Sequence, residues 1–195
     1  LGDVYKRQLK YGTDKPDLRN PLEICDLTKI FTRNDVKFEI FKKLVREGAI
    51  VRAIITKNTN NKSRGFFDKI DKWAKEEGSS GLAYFTFEKE DNKIIGKGPI
   101  GKFFSSEACQ EIIKSSKAEI GDSIFFACGQ KKDVEKLLSI ARDKIAKELE
   151  IIDENTFAFC WIVDYPMYEI DDKSGKIKFS HNPFSMPQGN IKDIN

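Results

Sequence analysis

The chain carries a single histidine, His181, lying between Ser180 and Asn182-Pro183. An imidazole titrates near neutral pH, so on a stiffened loop it can act as a hydrogen-bond partner whose charge follows its neighbours. Pro183 biases Asn182 towards extended backbone, and His181 falls just past an expected strand, where loops and ligands meet. Taken alone, a lone histidine is more often structural or solvated than catalytic. A second candidate block, Tyr11-Gly-Thr-Asp-Lys-Pro-Asp-Leu-Arg19, sets Asp14, Lys15, Asp17 and Arg19 in a turn-prone stretch containing Gly12 and Pro16. Those charges could meet a ligand or close a solvated turn. A third block, Phe159 to Glu169, joins an apolar run to Asp164-Tyr-Pro166.

Other signals point to structure. Gly96-Lys-Gly98-Pro-Ile-Gly101 fits G-x-G-x-x-G, and with Lys102 most of a phosphate loop. A phosphate loop needs a hydroxyl after the lysine, which Phe103 lacks, and the following helix starts better at Ser105. A surface loop is therefore expected. Phe66, Phe67 and Trp73 lie beside Lys62, Arg64, Lys69 and Lys72, a mixture that can bind RNA. They also share the apolar face of one helix, which favours core. Cys25, Cys109, Cys128 and Cys160 are scattered without a C-x-x-C pair, so reduced thiols are expected, with no zinc site and no disulfide framework.

The 195 residues make about one domain plus flanks. Thirty-four basic against 31 acidic residues leave +3, too little for nucleic-acid binding by charge alone. No apolar run is long enough to span a membrane. Leu1 to Gln8 reads as the in-frame product of a sequencing-library adapter and is set aside from the fold. With no initiator Met and an abrupt end at Asn195, the chain reads as a fragment.

From Val36 to Leu149 the pattern alternates strand and helix. Gly48 to Ile55 is β-branched and strand-like; Phe66, Phe67, Ile70, Trp73 and Ala74 recur at helical spacing before Gly78. Leu82 to Phe87 and Lys93 to Gly96 form strands about an Asp91-Asn92 turn. A helix carrying Cys109, Ile112 and Ile113 follows Ser105, and Asp122 to Cys128 is a buried strand. Val134, Leu137, Leu138, Ala141, Ile145 and Leu149 then mark a long helix. Beyond Asp153, Phe157 to Val163 reads as a strand inside a sheet, and Tyr168 to Ile170 with Ile177 to Phe179 as a hairpin. The fold class expected is α+β with a mixed or antiparallel sheet.

The Tyr11–Arg19 block, Trp161-Ile-Val-Asp-Tyr-Pro-Met-Tyr-Glu169 and His181-Asn-Pro-Phe-Ser-Met-Pro187 together resemble the bacterial type of aspartyl-tRNA synthetase, in that order and separation. The resemblance runs from Tyr11 to Asn195. It divides the chain into a catalytic-core segment at 9–30, a GAD-like insertion domain at 31–152 and a second core segment at 153–195, the flanks being pieces of the class II antiparallel sheet. It implies a cytoplasmic homodimer using ATP and Mg2+ to form aspartyl-adenylate and then charge tRNA(Asp). It also implies that His181 contacts L-aspartate. Relatives often have a second histidine where this chain has Asn182, and those reading His-Asn-Pro-Phe include enzymes that charge tRNA(Asn) as well. Asn182 is thus the candidate for relaxed tRNA choice. The main ATP and magnesium ligands of the class, its dimer motif and the anticodon-binding domain have no counterpart here. No catalytic or metal-binding residue is expected in this piece, and no activity from it alone. The rival readings are a non-catalytic GAD-type module, as in a tRNA-dependent amidotransferase subunit, and a stand-alone interaction domain.

Overall fold

The structure, a computed structural model, describes residues 9–13, 15–159, 168–171 and 174–179. At its centre lie β1 (Ile24–Asp26), β2 (Ile50–Thr56), β3 (Ala83–Glu90), β4 (Lys93–Lys97) and β5 (Ser123–Gly129). They form one sheet in the order β1-β2-β5-β3-β4, with every neighbouring pair antiparallel. The helices are α1 (Glu39–Arg46), α2 (Arg64–Glu76), α3 (Ser106–Ser116) and α4 (Lys131–Glu148), with 3-10 turns at Thr28–Thr32 and Gly101–Phe103.

Successive side chains on a strand point to opposite faces, and here both faces are covered. Val51, Ala53, Phe85, Phe87, Ile124 and Phe126 meet Phe31 and Ile112 on one side. Ile54, Tyr84, Phe125 and Ala127 meet Phe67, Ile70, Leu138 and Ile145 on the other. The result is a helix–sheet–helix sandwich. Double coverage explains why β2 and β5 lack the polar alternation of a half-exposed strand. Each large apolar side chain removed from water there contributes roughly 1.5–3 kcal/mol.

The strand order has a consequence for connectivity. β2 and β3 both run antiparallel to β5, hence parallel to each other, and α2 carries the chain between them across the place β5 later fills. In the same way β4 and β5 flank β3 and are joined through α3. The two units interleave, so neither can complete its sheet without the other.

Most elements lie where the periodicity puts them. Ser105 caps α3, its hydroxyl accepting from the Ala108 amide at 3.0 Å. The expected hairpin forms as β6 (Tyr168–Ile170) and β7 (Ile177–Phe179), paired antiparallel in a separate two-stranded sheet. Two differences stand out. β1, unanticipated, joins the central sheet through pairs such as Cys25 with Ala53, and the equally unanticipated Thr28–Thr32 turn packs Ile30 and Phe31 into the core, so the sheet begins inside the flanking segment 9–30. Of the strand expected at Phe157 to Val163, residues 157–159 are unpaired and Phe157 and Phe159 are exposed, while 160–163 lie outside the described residues. A strand needs a neighbour for its amides and carbonyls, and among the described residues these have none. No described helix is long and apolar enough to cross a membrane.

Candidate functional site

The Tyr11 block lies along α4. Tyr11 is buried, and Gly12 adopts φ +73 against the helix. A Cβ at Gly12 would fall 2.8 Å from the Glu135 carbonyl oxygen and 2.9 Å from Ser139 Cβ, so the close approach requires glycine. Beyond Pro16, Asp17 and Arg19 close on each other. The Arg19 amide and Nε donate to Asp17 Oδ1, each at 3.0 Å, and Nη2 donates to Oδ2 at 2.7 Å. The guanidinium bonds hold the Asp17 carboxyl below its ordinary pKa against some desolvation. Lys15 is exposed, its amide donating to Thr13 Oγ1 at 3.2 Å. The bland reading of these charges, a self-closed turn, holds for Asp17 and Arg19.

What holds this turn in place is Arg142. It projects from α4 and is 1% exposed. Its Nε donates to the Leu22 carbonyl at 2.6 Å, and Nη2 donates to the carbonyls of Asp17 at 2.8 Å and Asn20 at 2.5 Å. Its guanidinium carbon stands 4.9 Å from the centre of the Tyr11 ring, within cation–π range. Burial lowers the guanidinium pKa from its ordinary value, but arginine remains charged. Asn20, also buried, completes the junction: Nδ2 donates to the Arg142 carbonyl at 3.1 Å and to Asp143 Oδ1 at 3.0 Å, while Oδ1 accepts from the Leu22 amide at 3.0 Å.

A second buried arginine anchors the other end of α4. Arg52 of β2 donates to Glu135 Oε1 at 2.9 Å. Its Nε has no hydrogen-bond partner among the described residues; the Asp26 carboxylate lies 3.6 Å away, an ion pair too long for a hydrogen bond. The incoming and outgoing chains meet over the C-terminal half of α4, where Asp17, Arg19, Asp143, Lys147, Ile152 and Glu154 line a cleft of about 480 Å³.

Arg142 and Asn20 were not apparent from the sequence. The available signal was faint: Arg142 follows Leu138 by four residues and precedes Ile145 by three, placing a charge on the apolar stripe of α4. His181, Asn182 and Asp14 lie outside the described residues.

The distrusted signals resolve into packing. Gly96 and Gly101 touch through their backbones, and a Cβ on Gly101 would strike the Gly96 carbonyl. The Gly101, Phe103 and Phe104 amides bond to the carbonyls of Gly98, Ile100 and Gly101, which leaves those donors unavailable to a phosphate. Phe67 is buried, its ring stacked 4.6 Å from Tyr84 and 5.6 Å from Phe125. Phe66 and Trp73 pack against the same core, so these aromatics serve the fold. Cys25, Cys109 and Cys128 are free thiols; burial raises their pKa, to about 12 for Cys25 and about 11 for the other two. No group of three or more His, Cys, Asp or Glu among the described residues could hold a metal ion.

Residues 41–138 match the GAD domain model. That range takes in α1 to α3, β2 to β5 and the first half of α4. The chain belongs to the GAD domain family. It is also 70% identical over 186 residues to the aspartate–tRNA(Asp/Asn) ligase of Pelagibacter ubique, covering 95% of this chain and 31% of that protein. Enzymes of the same name from Beijerinckia indica and Methylocella silvestris are each 47% identical over 186 residues, covering 95% of the chain and 31% and 30% of their own length. The chain thus spans about a third of these relatives. Arg142 lies four residues beyond the GAD match, and the backbone it binds lies wholly upstream of it.

Proposed function

We propose that this chain is part of an aspartate–tRNA ligase of relaxed tRNA choice, comprising its GAD insertion and the catalytic-core segments on either side. The observation that carries the proposal is the 70% identity to the Pelagibacter ligase, sustained over 186 residues and therefore across flanks as well as GAD domain. In the whole enzyme, aspartate attacks the ATP α-phosphate, releasing pyrophosphate, and the aspartyl group of the adenylate passes to the terminal adenosine of tRNA. ATP enters as substrate and magnesium as the metal cofactor, with their main ligands in parts of the enzyme beyond this chain.

Within this reading His181 contacts the bound aspartate. A hydrogen-bonding imidazole discriminates well there, because a buried donor left unpaired by the wrong substrate is costly. Asn182 takes part in accepting both tRNA(Asp) and tRNA(Asn). The protein works as a cytoplasmic homodimer. Arg142 and Asn20 support the role given to the flank, because they fix the Tyr11 block against the module rather than leaving it a free tail.

The test is aminoacylation by the full-length enzyme with aspartate and each tRNA separately. Charging of both is expected, with His181→Ala raising the KM for aspartate. Charging of tRNA(Asp) alone would reject relaxed choice, and failure to charge either would reject the ligase reading.

A further inference from the structure

We infer that Arg142 is a positioning residue for aminoacylation: it clamps the Asp17–Leu22 backbone, and so couples the GAD module to the site it interrupts. This rests on the ligase reading above. The guanidinium makes its hydrogen bonds to three main-chain carbonyls, those of Asp17, Asn20 and Leu22, while the Asp143 carboxylate stands 3.7 Å from Nη1, an ion pair too long for a hydrogen bond. Leu22 also packs in the module's own core, so the bonds that reach beyond that core are those to Asp17 and Asn20. The three partners lie 120 to 125 residues away, on the chain leading into the module. Grip on main chain rather than side chains fixes the path of the segment whatever its side chains do. A planar guanidinium suits that task because its donors diverge at set angles. Burying it is costly unless every bond is made, so the clamp has little tolerance for partial engagement.

The geometry also restricts motion at the junction. The outgoing residues Ile152 and Glu154 face Asp17 and Arg19 across the cleft beside α4. Rotation of the module about its two connections would have to pull the guanidinium from its carbonyls and from the Tyr11 ring. The segment carrying Lys15, Asp17 and Arg19 is therefore held at a fixed place relative to α4. Small displacements of positioning segments weigh heavily on rate, because reacting groups must meet within narrow limits.

The experiment compares Arg142→Lys and Leu138→Ala in the full-length enzyme. Lysine keeps the charge but brings one flexible ammonium to three carbonyls. Leu138 is wholly buried on the same helix, and its apolar side chain cannot hydrogen-bond to a carbonyl, so its truncation tests destabilisation without removing the clamp's bonds. Aspartate-dependent pyrophosphate exchange is measured below the melting temperature of each. The expected result is a fall of about tenfold or more in kcat/KM for aspartate in Arg142→Lys, with Leu138→Ala within about threefold of wild type although equally or more destabilised. Arg142→Lys within about threefold of wild type would overturn the inference, as would activity losses in both variants that track their stability. Should Arg142→Lys not fold, Tyr11→Leu, which withdraws the ring from the guanidinium, is read against the same limits. A wild-type enzyme without exchange would instead overturn the ligase reading, and the inference with it.

Discussion

Asn20→Ala offers a direct measure of how tightly the incoming segment is held. The substitution removes two donated bonds, to the Arg142 carbonyl and to Asp143, and the acceptor of the Leu22 amide. Leu22 is 5% exposed and its side chain belongs to the core, so water cannot readily replace the lost acceptor. An orphaned buried amide costs roughly 1–3 kcal/mol, and each of the other bonds about 0.5–1.5 kcal/mol net. The total expected is about 2–6 kcal/mol, reduced if the segment peels away before the domain unfolds. Urea denaturation followed by circular dichroism gives the global loss, and hydrogen exchange at the Leu22 amide separates local release from global unfolding. Local release leaves the urea midpoint little changed while Leu22 exchanges fast; global loss moves both. A change below about 0.5 kcal/mol with Leu22 as protected as before would refute the account of the junction.

Two further perturbations test the packing. Gly101→Ala drives a methyl into the Gly96 carbonyl, backbone that cannot swing aside, and should destabilise by about 2 kcal/mol or more, well beyond Gly65→Ala, whose added methyl has its nearest neighbour at an ordinary 3.7 Å; equal midpoints in urea would contradict it. Asp35 accepts from Arg33 at 2.8 and 2.7 Å and from Ser105 Oγ at 2.7 Å, and these bonds, led by those from Arg33, hold its carboxyl down to about 2. Its stabilisation is complete above the ordinary aspartate range near pH 4 and is lost as pH falls towards about 2. Asp35→Asn should flatten the melting temperature between those limits, and an unchanged acid slope would refute the pairing.

The amino-acid sequence determined the local elements. The α4 stripe, the Ser105 cap and the apolar runs of β2 and β5 are near-neighbour patterns, and each became the element its period specifies. The three blocks likewise carried the resemblance without any geometry. Pairing was not legible. That β5 inserts between β2 and β3, and that Ile24–Asp26 adds an edge strand, depend on contacts between residues far apart in sequence, which periodicity does not encode. The same limit hid the junction. In the sequence Arg142 is one of 34 basic residues; only the fold brings three carbonyls from 120 to 125 residues upstream within its reach. Backbone carbonyls are identical at every position, so no residue type announces which of them a buried guanidinium will bind. Tertiary structure alone makes that choice.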